Sequence, residues 1–234
     1  MMRRPLIVAI DGPAGAGKSS VSKVLALRLG FTLVDTGAIY RCVALKAVRG
    51  GVAFDDVTGL QALLDQVNVT FRMDVDKNHV FLDGEDVSDQ IRTSDVSSAA
   101  SKVSAQPVVR NALLGLQRRL ALAAETGAIL EGRDIGTVVF PDADIKVFLF
   151  ADPSIRASRR YEELFQHKQE KPVGEVLADQ NKRDKEDSER AVAPLKAADD
   201  AVKIDSTELP LSEVVHRIEA LVFAKRGKSP LVSS

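Results

Sequence analysis

Short uninterrupted apolar runs alternate along the chain with stretches in which apolar residues recur every three or four positions. The runs Leu6–Ile10, Phe31–Asp35, Ala128–Leu130, Ile145–Phe150 and Ala201–Asp205 predict strands, mostly buried on both faces. Between them the spacing predicts helices. Val21, Val24, Leu25 and Arg28 share one face of a first helix that Gly30 is placed to end, and 38–48 forms a second. Leu211, Val214, Val215, Ile218, Leu221 and Val222 mark the last helix, with Ser206 or Thr207 as its cap and Pro210 in its first turn. Strands and helices alternating in this way predict an α/β fold in three layers around a five-stranded parallel sheet.

Two segments depart from that rhythm. Residues 67–73 and 79–82 alternate as strands do, and with the turn pair Asp83-Gly84 they predict an antiparallel hairpin, a small insert. Residues 156–190 hold 18 charged side chains among 35, nine of each sign, and little that can be buried. A solvated helical excursion is favoured there over a mobile flap.

Composition narrows the class without naming a function. The chain has 234 residues, 45% hydrophobic and 28% charged, with a net charge of −1, the balance of a globular protein rather than of one that binds nucleic acid or a membrane. One cysteine, Cys42, excludes an intrachain disulfide and suits a reducing cytoplasm, and three scattered histidines give no zinc spacing. The N-terminal Met-Met-Arg-Arg-Pro before Leu6–Ile10 mimics a leader, but the apolar run stops at Asp11 without a small-residue cleavage site, so it reads as a strand. No apolar stretch is long enough to span a bilayer, and no apolar surface stripe argues against a monomer.

The candidate chemistry begins where the first strand ends. Gly12-Pro13-Ala14-Gly15-Ala16-Gly17-Lys18-Ser19-Ser20 fits the phosphate-binding loop, Gly-x-x-x-x-Gly-Lys-Ser, and stands between a strand and a helix as that loop requires. There the backbone N–H groups and the helix N-terminus point at one anion, Lys18 reaches the outer phosphates and Ser19 offers a hydroxyl to Mg²⁺. A nucleoside triphosphate is implied; a small-molecule kinase or a nucleotide-dependent switch would both use it. Asn181-Lys-Arg-Asp184 and Asp56-Val-Thr-Gly59 match guanine-switch patterns, but neither follows an apolar strand, and the switch is the weaker reading.

A second anion site is expected beside the first. Asp35-Thr36-Gly-Ala-Ile-Tyr-Arg41 and Glu131-Gly-Arg133-Asp134-Ile-Gly-Thr137 follow strands whose carboxyl ends should flank the loop, which makes Arg41 and Arg133 candidate phosphate clamps. Ser101 and Arg110 would oppose each other on one continuous helix, but a break before Pro107 lets both face one ligand. Arg183, Asp187 and Arg190 share a helical face, as do Arg156, Arg159 and Arg160; on spacing alone, ion-paired solvated faces are the preferred reading.

Together these strings resemble the bacterial cytidylate kinase family of nucleoside monophosphate kinases. The likeness runs from Ile10-Asp-Gly-Pro-Ala-Gly-Ala-Gly-Lys-Ser19 through Asp35–Arg41, Gly84–Ser88, Ile91–Thr93 and Gly132–Asp142 to Arg190–Leu195 and Asp205–Thr207. It implies a core of 1–62, 103–155 and 191–234, a monophosphate-binding insert at 63–102 and a helical lid at 156–190, which replaces the solvated-face reading there. It also implies a soluble enzyme of pyrimidine nucleotide metabolism that takes ATP, Mg²⁺, CMP and dCMP. By resemblance Ser101, Arg110 and Asp134 read cytosine. Thr36, Arg41, Arg133 and Arg190 contact phosphate or the transition state, and Arg183 and Asp187 reach from the lid, with Lys18, Arg133, Arg183 and Arg190 as the catalytic set. Glu131 stands where the family can carry Asp, and Glu186 and Ser188 stand at lid positions where it can carry Arg.

Overall fold

The computed structural model describes residues 4–74, 77–166 and 171–227. Its centre is a five-stranded parallel sheet of β1 (Leu6–Asp11), β2 (Thr32–Asp35), β6 (Gly127–Gly132), β7 (Ile145–Phe150) and β8 (Val202–Asp205), in the order β2-β6-β1-β7-β8. All five predicted strands are present and all neighbours are parallel. Because side chains alternate across a strand, β1 divides its residues between two cores. Ile7 and Ala9 join the layer of α2 (Thr36–Arg49), α3 (Val57–Leu64), α4 (Ser94–Ser104) and α5 (Pro107–Leu122). Val8 and Ile10 join the layer of α1 (Lys18–Leu29) and α8 (Leu211–Arg226). Ala128 and Leu130 against Ile129 repeat the division on β6.

A second, three-stranded antiparallel sheet of β3 (Val69–Met73), β4 (Asn78–Leu82) and β5 (Glu85–Asp86) is the predicted insert. Its Asp83-Gly84 turn does not join the two strands read from the sequence. It joins β4 to the two-residue β5, with φ of 52° at Asp83 and 90° at Gly84, as a tight hairpin turn requires. The charged excursion forms two helices, α6 (Pro153–Gln166) and α7 (Val173–Glu189), which enclose a small apolar seam of Ala157, Leu164 and Val176.

Two boundaries differ from expectation for identifiable reasons. The second helix starts at Thr36 because the Asp35 carboxylate accepts from the Ala38 N–H at 2.8 Å. The last helix begins at Leu211 behind Pro210 with no side-chain cap. Ser206 and Thr207 are engaged elsewhere, Ser206 donating to the Ala16 carbonyl and Thr207 to Asp205.

Candidate active site

The phosphate-type loop leaves β1 at the buried carboxyl end of the sheet. A Cβ on Gly12 would lie 1.9 Å from the Leu149 carbonyl oxygen, so the loop can pass β7 only as glycine. A Cβ on Gly15 would lie 2.8 Å from both the Arg156 carbonyl oxygen and the Gln180 carboxamide, so α6 and α7 rest directly on the loop. α1 starts at Lys18, and the Lys18 ammonium folds back to donate to the Pro13 carbonyl at 2.7 Å. Burial, then the nearby Arg133 cation, hold that ammonium well below its ordinary pKa, while Glu131 and Asp11 oppose the shift.

The neighbouring strand ends supply carboxylates and hydroxyls. Ser19 Oγ donates to Glu131 Oε2 at 2.8 Å, and Thr36 Oγ1 donates to the Glu131 backbone oxygen at 2.7 Å. Burial and the adjacent Asp35 push the Glu131 carboxyl up to about 7. Arg41 is held against Asp35 at 3.0 Å, and its buried Nε has no partner among the described residues. Beyond β6 the chain makes one wide turn, Ile135–Val139, with i→i+5 hydrogen bonds. Asp11 pins that turn by accepting from the N–H groups of Ile135 and Gly136 at 2.8 and 2.7 Å.

The predicted break before Pro107 is present, and α4 and α5 bring Ser101 and Arg110 to one cleft. Arg110 is buried, paired with Asp134, bonded to the Ser104 carbonyl at 3.1 Å and placed 5.4 Å from the centre of the Tyr40 ring. The Ser101 hydroxyl makes a long, 3.5 Å bond to the Ser97 carbonyl. A donor fork, a carboxylate and a hydroxyl thus converge on one space.

Asp187 organises the α7 side of the cleft. It accepts from Arg133 Nε at 3.0 Å and pairs with Arg190 at 3.4 Å. Burial alone would raise its carboxyl, but Arg133, Arg183 and Arg190 outweigh burial and hold it below the usual range. Arg190 is steadied further by the Val192 and Ala193 carbonyls, which the left-handed φ of 53° at Ala193 aims at it. Arg183 keeps a buried Nε without a partner among the described residues; burial and Arg133 bring its pKa down to about 10. Glu186 lines the cleft as a carboxylate, whereas Ser188 is exposed.

These groups line one cleft of about 430 Å³, within the range of small-molecule sites. It holds Ala14, Gly15, Lys18, Ser19, Thr36, Arg41, Ser101, Arg110, Arg133, Asp134, Arg183, Asp187 and Arg190 together. Gly12, Pro13, Ala16, Gly17 and Ser20 shape or flank the loop without lining the cleft. Eleven lysines and arginines against seven carboxylates make the lining cationic in a chain of net charge −1. Sequence reasoning assigned no role to Arg92, Lys102, Arg160, Lys171 or Gln180, which also line it. Arg160 had a signal, its shared face with Arg156; Gln180 had none beyond lying in the excursion. Asn181–Asp184 lies inside α7, and Asp56 caps α3, so neither guanine-switch string occupies a strand-end loop.

The family model described as cytidylate kinase matches residues 8–223, nearly the whole described chain. The chain belongs to the cytidylate kinase family. It is 50% identical over 228 residues to the cytidylate kinase of Geobacter sulfurreducens, covering 97% of each chain. It is 49% identical over 220 residues to that of Pelotomaculum thermopropionicum, covering 94% of this chain and 96% of the relative. It is 45% identical over 227 residues to that of Azotobacter vinelandii, covering 96% and 98%. Like those relatives, this cytidylate kinase family member is a phosphotransferase. Among the described residues no helix is long and apolar enough to cross a membrane, and no group of three His, Cys, Asp or Glu is placed to hold a metal unaided.

Proposed function

We propose that the protein transfers the γ-phosphoryl group of ATP to CMP, and also to dCMP, giving the pyrimidine nucleoside diphosphate and ADP. The observation that carries this reading is the convergence in one cleft of a phosphate-type loop, the Ser101/Arg110/Asp134 group and four arginines, Arg41, Arg133, Arg183 and Arg190. The attacking atom is a phosphate oxygen, already anionic near neutral pH, so no general base is needed. Alignment and charge neutralisation remain, and these are what Lys18 and the arginines supply to a loose, in-line transition state. Thr36 and Arg41 hold the acceptor phosphate, and Arg133 and Arg190 sit where charge passes between the nucleotides. Arg183 and Asp187 approach from the lid, which excludes water that would otherwise accept the phosphoryl group.

Mg²⁺ fits the loop by donor chemistry. Ser19 presents an exposed hydroxyl bonded to the Glu131 carboxylate, a pair of hard oxygens. Ser19 would hold the ion and Glu131 would orient its shell; once bound, Mg²⁺ offsets the charge of the triphosphate. Base choice rests on Arg110 and Asp134. Cytosine presents an amino donor and ring acceptors, which a carboxylate and a guanidinium satisfy, whereas uracil would leave buried groups unpaired. We divide the chain at 1–62, 103–155 and 191–234 for the core, 63–102 for the insert over the monophosphate, and 156–190 for the lid. We place it in the cytoplasm as a monomer, without nucleic-acid or membrane partners.

A coupled ADP-release assay across CMP, dCMP, UMP, AMP and GMP tests the reading. CMP and dCMP are expected to be the best acceptors. A purine acceptor in first place would overturn the base assignment, and no stimulation by any of them would return the protein to the switch class.

A further inference from the structure

We infer that Gln180 is a specificity-determining residue for the donor nucleotide, accepting a hydrogen bond from its nucleoside portion. This deepens the proposed use of ATP and rests on it. Gln180 lies on α7, and although only 6% exposed it lines the cleft. It is fixed on the side of the phosphate-type loop: its carboxamide abuts Gly15, and its Nε2 donates to the Arg156 carbonyl at 3.3 Å. Arg156 in turn grips the same loop by donating to the Ala14 carbonyl at 2.9 Å.

The bond to Arg156 decides which way the amide is turned. A backbone carbonyl only accepts, so the nitrogen must face it, and the oxygen must take the other direction. That oxygen, Oε1, is buried and has no hydrogen-bond partner among the described residues. A buried acceptor left unmatched is unfavourable, and such groups are regularly satisfied by a ligand at a functional site. The phosphates of a nucleotide cannot satisfy it, since their oxygens are acceptors and anionic. Among the groups of the donor nucleotide, the complement is an O–H or N–H of the nucleoside, namely a ribose hydroxyl or the exocyclic amine of the base.

The experiment is steady-state kinetics of the full-length enzyme with CMP as acceptor and three donors: ATP, 2′-deoxy-ATP and ITP, which lacks the amine. Wild type and Gln180→Met are compared, with Gln180→Leu as a second variant. Loss of one neutral hydrogen bond is expected to raise the KM for ATP about 3- to 10-fold while the KM for CMP stays put. The penalty that wild type shows for one analogue should also vanish in both variants; the ribose is the contact if 2′-deoxy-ATP is that analogue, the amine if ITP is. Equal weakening of all three donors would assign Gln180 to lid packing alone and overturn the inference, as would no change. A wild-type enzyme that fails to use ATP sinks the proposed donor instead, a result distinct from either.

Discussion

Arg110 shows how much of this site one side chain carries. Its guanidinium is buried against Asp134, the Ser104 carbonyl and the Tyr40 ring, so its fork is fixed before any ligand arrives. Arg110→Met removes the fork and leaves Asp134 buried beside an apolar chain. The preference for CMP over UMP, read as a ratio of kcat/KM, is expected to fall about 10- to 100-fold. The KM for ATP should stay within about twofold of wild type, because Arg110 is not part of the loop. At Gly12 the constraint is steric. A methyl there would meet the Leu149 carbonyl at 1.9 Å, so Gly12→Ala is expected to lose on the order of 3 kcal/mol or more in urea unfolding. Residues such as Gly12, Lys18 and Arg133 were legible because loop and strand-end positions have recognisable local patterns. Gln180 and Lys102 were not, since their place in the cleft depends on how separate elements dock.

At the scale of elements, the strand-helix alternation carried the parallel sheet because each buried run has one geometric solution there. Caps were less legible: two hydroxyls before α8 have the right chemistry for a cap but are taken by Asp205 and by the loop carbonyl of Ala16. The charged excursion misled on spacing alone because ion pairs that look solvated in sequence are partly buried in the fold. Arg156 is the clearest case. It is 5% exposed and joins α6 to the Ala14 carbonyl of the loop, to the Ala151 carbonyl and to Asp184 on α7. Arg156→Ala leaves Asp184 without its cation and cuts the tie between the two helices and the loop, a change of roughly 3 kcal/mol or more when one partner of a buried pair is lost. Amide exchange in α7 is expected to speed by at least about tenfold, while amides of β1 and β6 hold their protection. Unchanged α7 protection would show that this helix does not depend on the arginine.

For the molecule as a whole, the opposed pKa shifts give stability a distinctive pH dependence. Asp11 is buried at the centre of the sheet, and burial raises its carboxyl to about 6 despite two backbone hydrogen bonds. The folded chain therefore binds this proton more tightly than the unfolded chain, whose Asp titrates near its ordinary value of 3.8. The contribution of Asp11 is greatest below about pH 4, declines as the pH rises to about 6, and is level above that. Glu131, raised to about 7 from 4.5, acts with the same sign over a window reaching higher. Asp187 is shifted the other way, so its contribution is complete above its unfolded value and is lost only in stronger acid. Asp11→Asn isolates the first effect because the other two groups remain. The stability of wild type minus that of the variant, from urea unfolding, is expected to shrink between about pH 4 and about pH 6 and then to stay level. A difference constant across that range would mean that Asp11 keeps an ordinary carboxyl pKa in the folded chain. The two backbone bonds to Ile135 and Gly136 would then fully offset its burial.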